Sequence, residues 1–320
     1  MTQYESRFLA GLYRTLYTIR VFETRCIKLY RDGLVRGYFH PYLGEEAIAV
    51  GVCAALSDRD YITSTHRGHG HCIARGGQLR KMVAELLGRK TGYCSGRGGS
   101  MHIADVSAGN LGANGVVGAG IPIGIGAALG AYIRGDTSVA VTFASDGASN
   151  NGVFAESLNL AAAWSLPFIL VIENNQYAVS TPIEESTRVC DLHKRGAGYG
   201  IESACIDGND VLEVHECARE AVALCRSGKG PVLIEAKTYR HAGHHVNDPG
   251  LYMPKETLEH YKSRDPVDIG RKYLMESGAP ETQVRQIEEA VEREMDEAVE
   301  FAVASDEPSV EEFLKEVTSN

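Results

Sequence analysis

SVAVTFASDGASNNG, residues 138–152, is the stretch that decides the fold. Its apolar first half predicts a strand over Ser138–Phe143, and its small polar second half leads into a predicted helix over Phe154–Trp164. A second apolar run predicts another strand over Phe168–Glu173. Continuous apolar strands separated by helices indicate a mainly parallel sheet with helices on both faces. We therefore predict a doubly wound α/β fold.

The rest of the chain predicts further elements around this centre. We expect helices over 4–32, 45–56, 79–87, 119–133 and 211–226, and strands over 61–65, 204–206 and 232–236. The sequence after Pro254 has a helical, acidic pattern with one apolar face. We divide the chain into an N-terminal helical extension (1–36), an α/β domain (37–253) and a C-terminal helical segment (254–320).

The composition indicates a globular protein without a nucleic-acid partner. Of its 320 residues, 44% are hydrophobic and 23% are charged, close to the average for folded domains. The net charge is −10, and no block of Lys and Arg forms a surface for phosphate backbones. The eight cysteines form no CxxC motif, and the first residues lack a signal-peptide pattern. We therefore predict reduced cysteines and a cytoplasmic location.

One stretch, Val116–Ile133, contains no charged residue and is long enough to cross a membrane. Its five glycines and Pro122 lower the hydropathy, and no basic cluster flanks it. We therefore predict a soluble, buried helix of small residues. It is expected to pack closely against another helix and to contribute to a subunit contact, with no membrane association.

Three polar loops follow predicted strands, over 145–152, 173–177 and 239–245. Ligands of open parallel sheets bind at the carboxyl ends of the strands, where these loops meet. Asp146 and Asn175 supply oxygen ligands of the kind that Mg²⁺ prefers. Gly147 and Ala148 allow backbone N–H groups to approach a diphosphate held by that metal. The sequence therefore predicts a magnesium and diphosphate site.

Six histidines lie in two polar segments of the sequence, 66–71 and 241–245. His66, His69, His71, His241, His244 and His245 do not predict zinc, because no Cys or carboxylate completes a tetrahedral set at ligand spacing. Those beside Arg67 and Arg240 suit an anionic diphosphate. We expect His193, His215 and His260 at the surface.

Glu45 and Glu46 begin a helix, so we interpret them as capping or packing residues.

Asp146-Gly147, followed after 26 residues by Asn174-Asn175, resembles the GDG-x(25–30)-NN motif of thiamine diphosphate enzymes, with Ser145 at the first glycine. Further segments are similar to the α subunit of the E1 component of 2-oxo acid dehydrogenase complexes, and they are residues 44–47, 67–70, 96–102 and 243–250. The run Thr65–His71, with residues 101–105 and 112–115, is most similar to the acetoin dehydrogenase branch.

The resemblance implies a set of site residues. Mg²⁺ would be bound by Asp146, Asn175 and the main-chain carbonyl of Tyr177. The residues implied around the diphosphate are Arg67, Gly147, Ala148, Arg240 and His244, of which His244 is the expected catalytic group. Gly115 and Val117 would meet the aminopyrimidine ring. His66 belongs to the same cofactor site and stands where many pyruvate-type members have tyrosine.

The resemblance also implies an activity. The chain would be the α subunit of an α2β2 enzyme that cleaves acetoin, or decarboxylates pyruvate, and passes the two-carbon unit to a lipoyl group of the E2 component. The β subunit would supply the glutamate that activates thiamine diphosphate, so the chain alone would be inactive. A branched-chain 2-oxo acid is an alternative substrate.

Two alternatives come from other classes of protein. Gly124–Gly130 has a GxGxxxG pattern, which suggests a nicotinamide-dependent Rossmann enzyme. That fingerprint must directly follow a strand, however, and here a glycine-rich loop precedes it. A non-catalytic scaffold subunit is the other alternative, although a scaffold has no need of three convergent polar loops.

Overall fold

A five-stranded, wholly parallel sheet lies at the centre of the computed structural model, which describes residues 4–318. The strand order is β1-β2-β3-β7-β6. These strands are β1 (Tyr61–Thr63), β2 (Ala140–Ser145), β3 (Phe168–Asn174), β6 (Glu202–Asp207) and β7 (Val232–Lys237). A separate two-stranded antiparallel ribbon is formed by β4 (Tyr177–Ala178) and β5 (Thr181–Pro182). The predicted α/β fold with a mainly parallel sheet is confirmed.

Helices cover both faces of this sheet. In chain order they are α1 (Ser6–Arg31), α2 (Glu46–Ala54), α3 (His69–Ala74), α4 (Leu79–Leu86), α5 (Gly120–Arg134), α6 (Gly152–Ala163), α7 (Ile183–Ser186), α8 (Val211–Arg226), α9 (Lys255–Lys262), α10 (Pro266–Glu276), α11 (Glu281–Ala304) and α12 (Val310–Thr318). The central strands β2 and β3 are buried on both sides, which explains why their sequences are continuously apolar.

The first and last long helices pack together beside the sheet. Leu12, Leu16 and Ile19 of α1 belong to the same buried cluster as Val284 and Val291 of α11. Their spacing of three, four and seven residues places each set on one helix face. The division of the chain into three parts stays a prediction.

The structure corrects the environment expected for the small-residue segment. The helix begins at Gly120, and Gly124 is buried against Thr142 of β2 and Phe168 of β3, not against another helix. The opposite face is exposed at Ile123 and Gly126. The small residues therefore allow the helix to approach the sheet, and the expected subunit contact stays a prediction.

The position of α5 bears on two alternatives for this segment, a nicotinamide site and a membrane span. The glycine pattern Gly124–Gly130 lies inside α5 and not in a turn after a strand, so a nicotinamide site is not favoured. Within residues 4–318, no helix combines the length and the apolar character that a membrane span requires. The cytoplasmic location stays a prediction.

The sequence analysis assigned no element to residues 69–74, which form the short helix α3, in which both His69 and His71 are buried and hydrogen-bonded. One further expectation, a surface position for His215, was wrong. His215 of α8 is buried and not at the surface, because the rings of Tyr4 and Phe8 contact its imidazole.

Candidate active site

A cavity of about 240 Å³ opens at the carboxyl edge of the sheet. The segments that follow β1, β2, β3 and β7 all reach it, as expected for a ligand site in a parallel sheet. The residues that line it are His40, Glu45, Thr65, His66, Arg67, Met101, Gly115, Val117, Ser145, Gly147, Glu173, Asn175, Tyr177, Ala178, Val179, Arg240 and His244.

This cavity brings together most of the residues that the sequence singled out. Nine of the eleven predicted site residues line it, namely His66, Arg67, Gly115, Val117, Gly147, Asn175, Tyr177, Arg240 and His244. Asp146 is buried between the lining residues Ser145 and Gly147. Ala148 lines a small adjoining cavity that shares Ser145 and His66 with the larger one.

Asp146 and Asn175 fit the requirements of a hard divalent cation. Asp146 is only 3% exposed, and its Oδ1 is buried without a hydrogen-bond partner among the described residues. Burial raises the pKa of Asp146 to about 6. A buried carboxylate oxygen without a partner is costly unless a ligand satisfies it. With the side-chain amide of Asn175 in the same site, the donor set suits Mg²⁺.

Two buried arginines form the cationic part of the site. Arg67 donates from Nη2 to the carbonyl oxygen of His244 at 3.0 Å and also contacts Glu45. Arg240 donates from Nη2 to the carbonyl oxygen of Val179 at 2.8 Å, while its buried Nε has no partner among the described residues. Buried guanidinium groups are favourable when they bind an anion such as a diphosphate.

Gly147 is required where it stands for a steric reason. A Cβ added there would lie 2.8 Å from the Cβ of Ala178 in β4. The loop after β2 and the ribbon after β3 therefore approach each other more closely than any larger residue allows. Since both line the cavity, this contact fixes its width at the predicted metal end.

Three histidine rings cluster at the cavity, from His40, His66 and His244. The ring centroids of His40 lie 4.8 Å from those of both His66 and His244. Burial, reinforced by Arg67, lowers the pKa of His66 and of His244 to about 3. Arg240 donates from Nη1 to His244 Nδ1 at 3.0 Å. His244 is therefore neutral near pH 7, with its proton on Nε2.

Glu45 is the principal site residue that the sequence analysis misjudged. It precedes α2 but makes no capping hydrogen bond, and its buried carboxylate lines the cavity instead. Burial raises the pKa of Glu45 to about 7. Its Oε1 accepts a hydrogen bond from Asn175 Nδ2 at 2.8 Å. Glu46, by contrast, fits the predicted packing role, because its carboxylate accepts hydrogen bonds from Gly44 N and Arg20 Nε.

Two other ionisable lining residues, His40 and Glu173, were not predicted as site residues. His40 carries no sequence signal, since nothing around it marks a strand end or a motif. Glu173 ends the apolar run of β3, which is the signal that could have identified it. Its Oε1 accepts from Tyr42 and lies 2.9 Å from His71 Nε2, and His71 Nδ1 in turn lies 2.7 Å from Ser64. This buried hydrogen-bond network holds the Glu173 side chain at the cavity.

Glu85 holds the long glycine-rich loop over residues 92–115. Its buried carboxylate accepts hydrogen bonds from four backbone N–H groups, those of Cys94, Gly96, Gly98 and Gly99. The loop continues to Met101 and Gly115, which line the cavity. One carboxylate therefore orders a segment without regular secondary structure.

A wider depression of about 800 Å³ lies at the opposite edge of the sheet, between the end of α5 and the loop after α6. Its charged lining residues, Asp136 and Arg226, are both exposed, and the exposed aromatic residues Tyr132 and Trp164 also line it. It lacks the buried, convergent polar groups of the smaller cavity, which is the better candidate for chemistry.

Comparisons with known proteins agree on one family. The sequence model of the family described as dehydrogenase E1 component matches residues 14–311. The α subunit of acetoin:2,6-dichlorophenolindophenol oxidoreductase from Bacillus subtilis (strain 168) is 44% identical over 307 residues, covering 96% of this chain and 92% of the relative. The corresponding subunit from Cupriavidus necator is 44% identical over 311 residues, covering 97% and 93%. The pyruvate dehydrogenase E1 component subunit α from Zymomonas mobilis is 41% identical over 311 residues, covering 97% and 88%.

Proposed function

Because the chain belongs to the dehydrogenase E1 component family, whose α subunits are thiamine diphosphate-dependent oxidoreductases acting with a β subunit, we propose that its substrate is acetoin. Two relatives named for acetoin oxidation support this choice at 44% identity over nearly the full chain. Pyruvate is the second candidate, because a pyruvate dehydrogenase subunit is 41% identical. A non-catalytic scaffold is not favoured, since the family is catalytic.

The observation that carries the proposal is the pairing of an unsatisfied carboxylate with two buried arginines in one cavity. In our proposal, Asp146, Asn175 and the carbonyl oxygen of Tyr177 hold Mg²⁺, and Arg67, Arg240 and His244 hold the diphosphate. The orphaned Oδ1 of Asp146 and the free Nε of Arg240 support these roles. Once bound, thiamine diphosphate would supply a carbon nucleophile and an electron sink for cleavage next to a carbonyl.

The remaining proposed roles concern binding and proton transfer by this chain. Gly147 and Ala148 present backbone to the diphosphate, and His66, Gly115 and Val117 bound the rest of the cofactor. His244 is neutral near pH 7 and holds a proton on Nε2 at the cavity, from which the proton can be given to a reacting oxygen or sulfur atom.

The partner roles follow from how the carboxylates of the cavity are used. Glu45 is engaged by Asn175 and Arg67, and Glu173 by Tyr42 and His71. Both lining carboxylates are therefore paired within this chain, although Glu45 Oε2 accepts no hydrogen bond from the described residues. We assign activation of the cofactor ring to a glutamate of the β subunit in an α2β2 assembly, and we take the lipoyl group of an E2 component as the acceptor of the two-carbon unit.

The proposal is tested by reconstitution with the β subunit. Reduction of 2,6-dichlorophenolindophenol is measured with acetoin, pyruvate or a branched-chain 2-oxo acid, with and without Mg²⁺ and thiamine diphosphate. We expect turnover that requires both subunits and the cofactor, with kcat/KM at least about 10-fold higher for acetoin. A preference for pyruvate would replace the substrate assignment, and turnover by the α subunit alone would contradict the role given to the β subunit.

A further inference from the structure

A histidine, a cysteine and a glutamate converge at the edge of the sheet, outside the cavity. A ring nitrogen of His193, the Sγ of Cys205 and a carboxylate oxygen of Glu235 all lie within 4.8 Å of one another. None of the three has a role in the proposed reaction. We propose that these residues form a second metal site, which binds Zn²⁺ through three protein ligands.

The backbone places the three side chains together. Cys205 of β6 and Glu235 of β7 are partners in the parallel register, so their side chains project from the same face of the sheet. His193 belongs to a 3₁₀ segment, Leu192–Tyr199, that packs over this face. Its backbone N–H donates to Glu235 Oε2 at 2.9 Å, and its ring Nδ1 lies 2.9 Å from the same oxygen. Two contacts therefore fix the imidazole beside the carboxylate.

The chemistry of this donor set selects the metal. Zinc binds combinations of imidazole nitrogen, thiolate sulfur and carboxylate oxygen, usually in a tetrahedron, whereas Mg²⁺ and Ca²⁺ prefer oxygen ligands alone. Three protein ligands leave the fourth position for water. Glu235 and the thiolate form of Cys205 together carry two negative charges, which balance the charge of the ion. The neighbouring cation, Lys237, is already paired with Asp191 at 2.7 Å.

Access and protonation are compatible with metal uptake from solution. Cys205 is exposed and Glu235 is fully buried, so the site has an open side and an anchored side. Burial, with a contribution from Glu235, raises the pKa of the Cys205 thiol. The thiol is therefore protonated without metal, and binding must displace that proton.

The site is also connected to the cavity. The other oxygen of Glu235 accepts a hydrogen bond from Asn174 Nδ2 at 2.6 Å, and the next residue, Asn175, lines the cavity. A metal ion at Glu235 would join the edge strand β6, the 3₁₀ segment and the carboxyl end of β3. Its proposed role is thus to brace this edge of the sheet.

The test uses the assembly of α and β subunits, stripped of metal with a chelator. Co²⁺ serves as the spectroscopic probe and Zn²⁺ as its competitor. We expect one Co²⁺ per α subunit with a sulfur-to-cobalt charge-transfer band, and displacement of that Co²⁺ by Zn²⁺. Cys205→Ser should remove the band, and His193→Ala should weaken Zn²⁺ binding at least about 10- to 100-fold, since even the loss of an outer partner costs that much.

The controls separate this site from other thiols. Cys190→Ser and Cys217→Ser change two other partly buried cysteines and should leave the band and the Zn²⁺ affinity unchanged. Circular dichroism of the metal-free Cys205→Ser protein checks that it folds, which its exposed position favours. Absence of a thiolate band in the wild-type assembly, or its persistence in Cys205→Ser, would overturn the proposal.

Discussion

Asn175 Nδ2 donates a hydrogen bond to Glu45 Oε1 at 2.8 Å, and Arg67 Nε lies 3.4 Å from the second oxygen of the same carboxylate. The nitrogen and the oxygen of a side-chain amide point in different directions. This hydrogen bond therefore directs Asn175 Nδ2 toward Glu45 and leaves Asn175 Oδ1 facing away from it. Glu45 thus acts as a positioning residue for a proposed metal ligand and as the partner of a buried arginine.

This relationship predicts different effects for two substitutions of Glu45. Glu45→Ala should weaken Mg²⁺-dependent cofactor binding by about 10- to 100-fold, the usual cost of losing the partner that orients a metal ligand. Glu45→Gln should recover most of that affinity, because its amide oxygen can still accept from Asn175. Calorimetry on the assembled subunits measures both, and equal affinities for wild type and Glu45→Ala would rule out the positioning role.

The pH dependence of Mg²⁺ binding follows from the raised pKa of Asp146, about 6. Below this pH the carboxyl group is protonated and must lose its proton before it can bind the metal. We expect the apparent affinity to fall about tenfold per pH unit below about pH 6 and to level off above it. Titrations across this range measure the slope.

Glu45→Gln provides the control for that titration. The pKa of Glu45, another carboxyl group at the cavity, is also raised, to about 7. If the metal displaces its proton from Asp146, the pH dependence of Mg²⁺ affinity persists in Glu45→Gln. A slope that disappears in this variant would assign the proton to Glu45 and contradict the role given to Asp146.

His244 and His245 differ in what they contact, although they are adjacent. His244 lines the cavity and accepts a hydrogen bond from Arg240, which His245 does not. His244→Ala should lower turnover with the lipoyl acceptor by about 10²-fold or more, the usual contribution of a positioned proton-transfer group. His245→Ala is the matched control and should change turnover little. The reverse pattern would mean that the role implied by the family resemblance belongs to His245 and was assigned one position too early.

The two faces of α5 predict opposite responses to the same substitution. A Cβ at Gly124 would collide with Thr142, whereas nothing lies within 4 Å of a Cβ at Gly126. Gly124→Leu should therefore destabilise the fold by about 1–3 kcal/mol, and Gly126→Leu should leave the isolated chain folded. Chemical denaturation measures the difference. Similar stabilities for both variants would contradict the packing of α5 on the sheet.

Much of the fold was predictable because local sequence determines it. Strands β2 and β3 are buried on both faces, so their apolar runs are continuous, and the parallel arrangement brings the residues that follow them to one edge. The positions of Asp146 and Asn175 were predictable for this reason. The comparisons also confirm the family to which the motif around these residues pointed.

The features that were not predictable depend on contacts between distant segments. A small-residue spacing marks a face of α5 that permits close approach, but whether a helix or a sheet covers it depends on the tertiary structure. His215 is buried because the N-terminal aromatic residues Tyr4 and Phe8 and the backbone of α2 at Gly51 reach it. Glu45 resembles a helix cap in sequence, and only the placement of α2 against the loop after β3 turns its carboxylate toward Asn175.

Asp146→Asn should stabilise the metal-free protein at neutral and higher pH. Because its folded pKa, about 6, lies above the ordinary value of 3.8, ionisation of Asp146 costs stability as the pH rises through 6. Removing that charge should raise the free energy of unfolding by up to about 3 kcal/mol near pH 8 and by little near pH 4. Denaturation at the two pH values measures this gain. A loss of stability at both would indicate a structural role instead.

The same variant gives the most direct test of the cofactor site. Calorimetric titration of Mg²⁺ and thiamine diphosphate into the assembled α and β subunits compares wild type with Asp146→Asn. We predict tight, Mg²⁺-dependent binding to the wild type and a loss of at least about 100-fold in the variant, because a charged metal ligand has been removed from a protein that stays folded. Wild-type affinity in Asp146→Asn would contradict the assignment of this cavity as the site of Mg²⁺ and thiamine diphosphate.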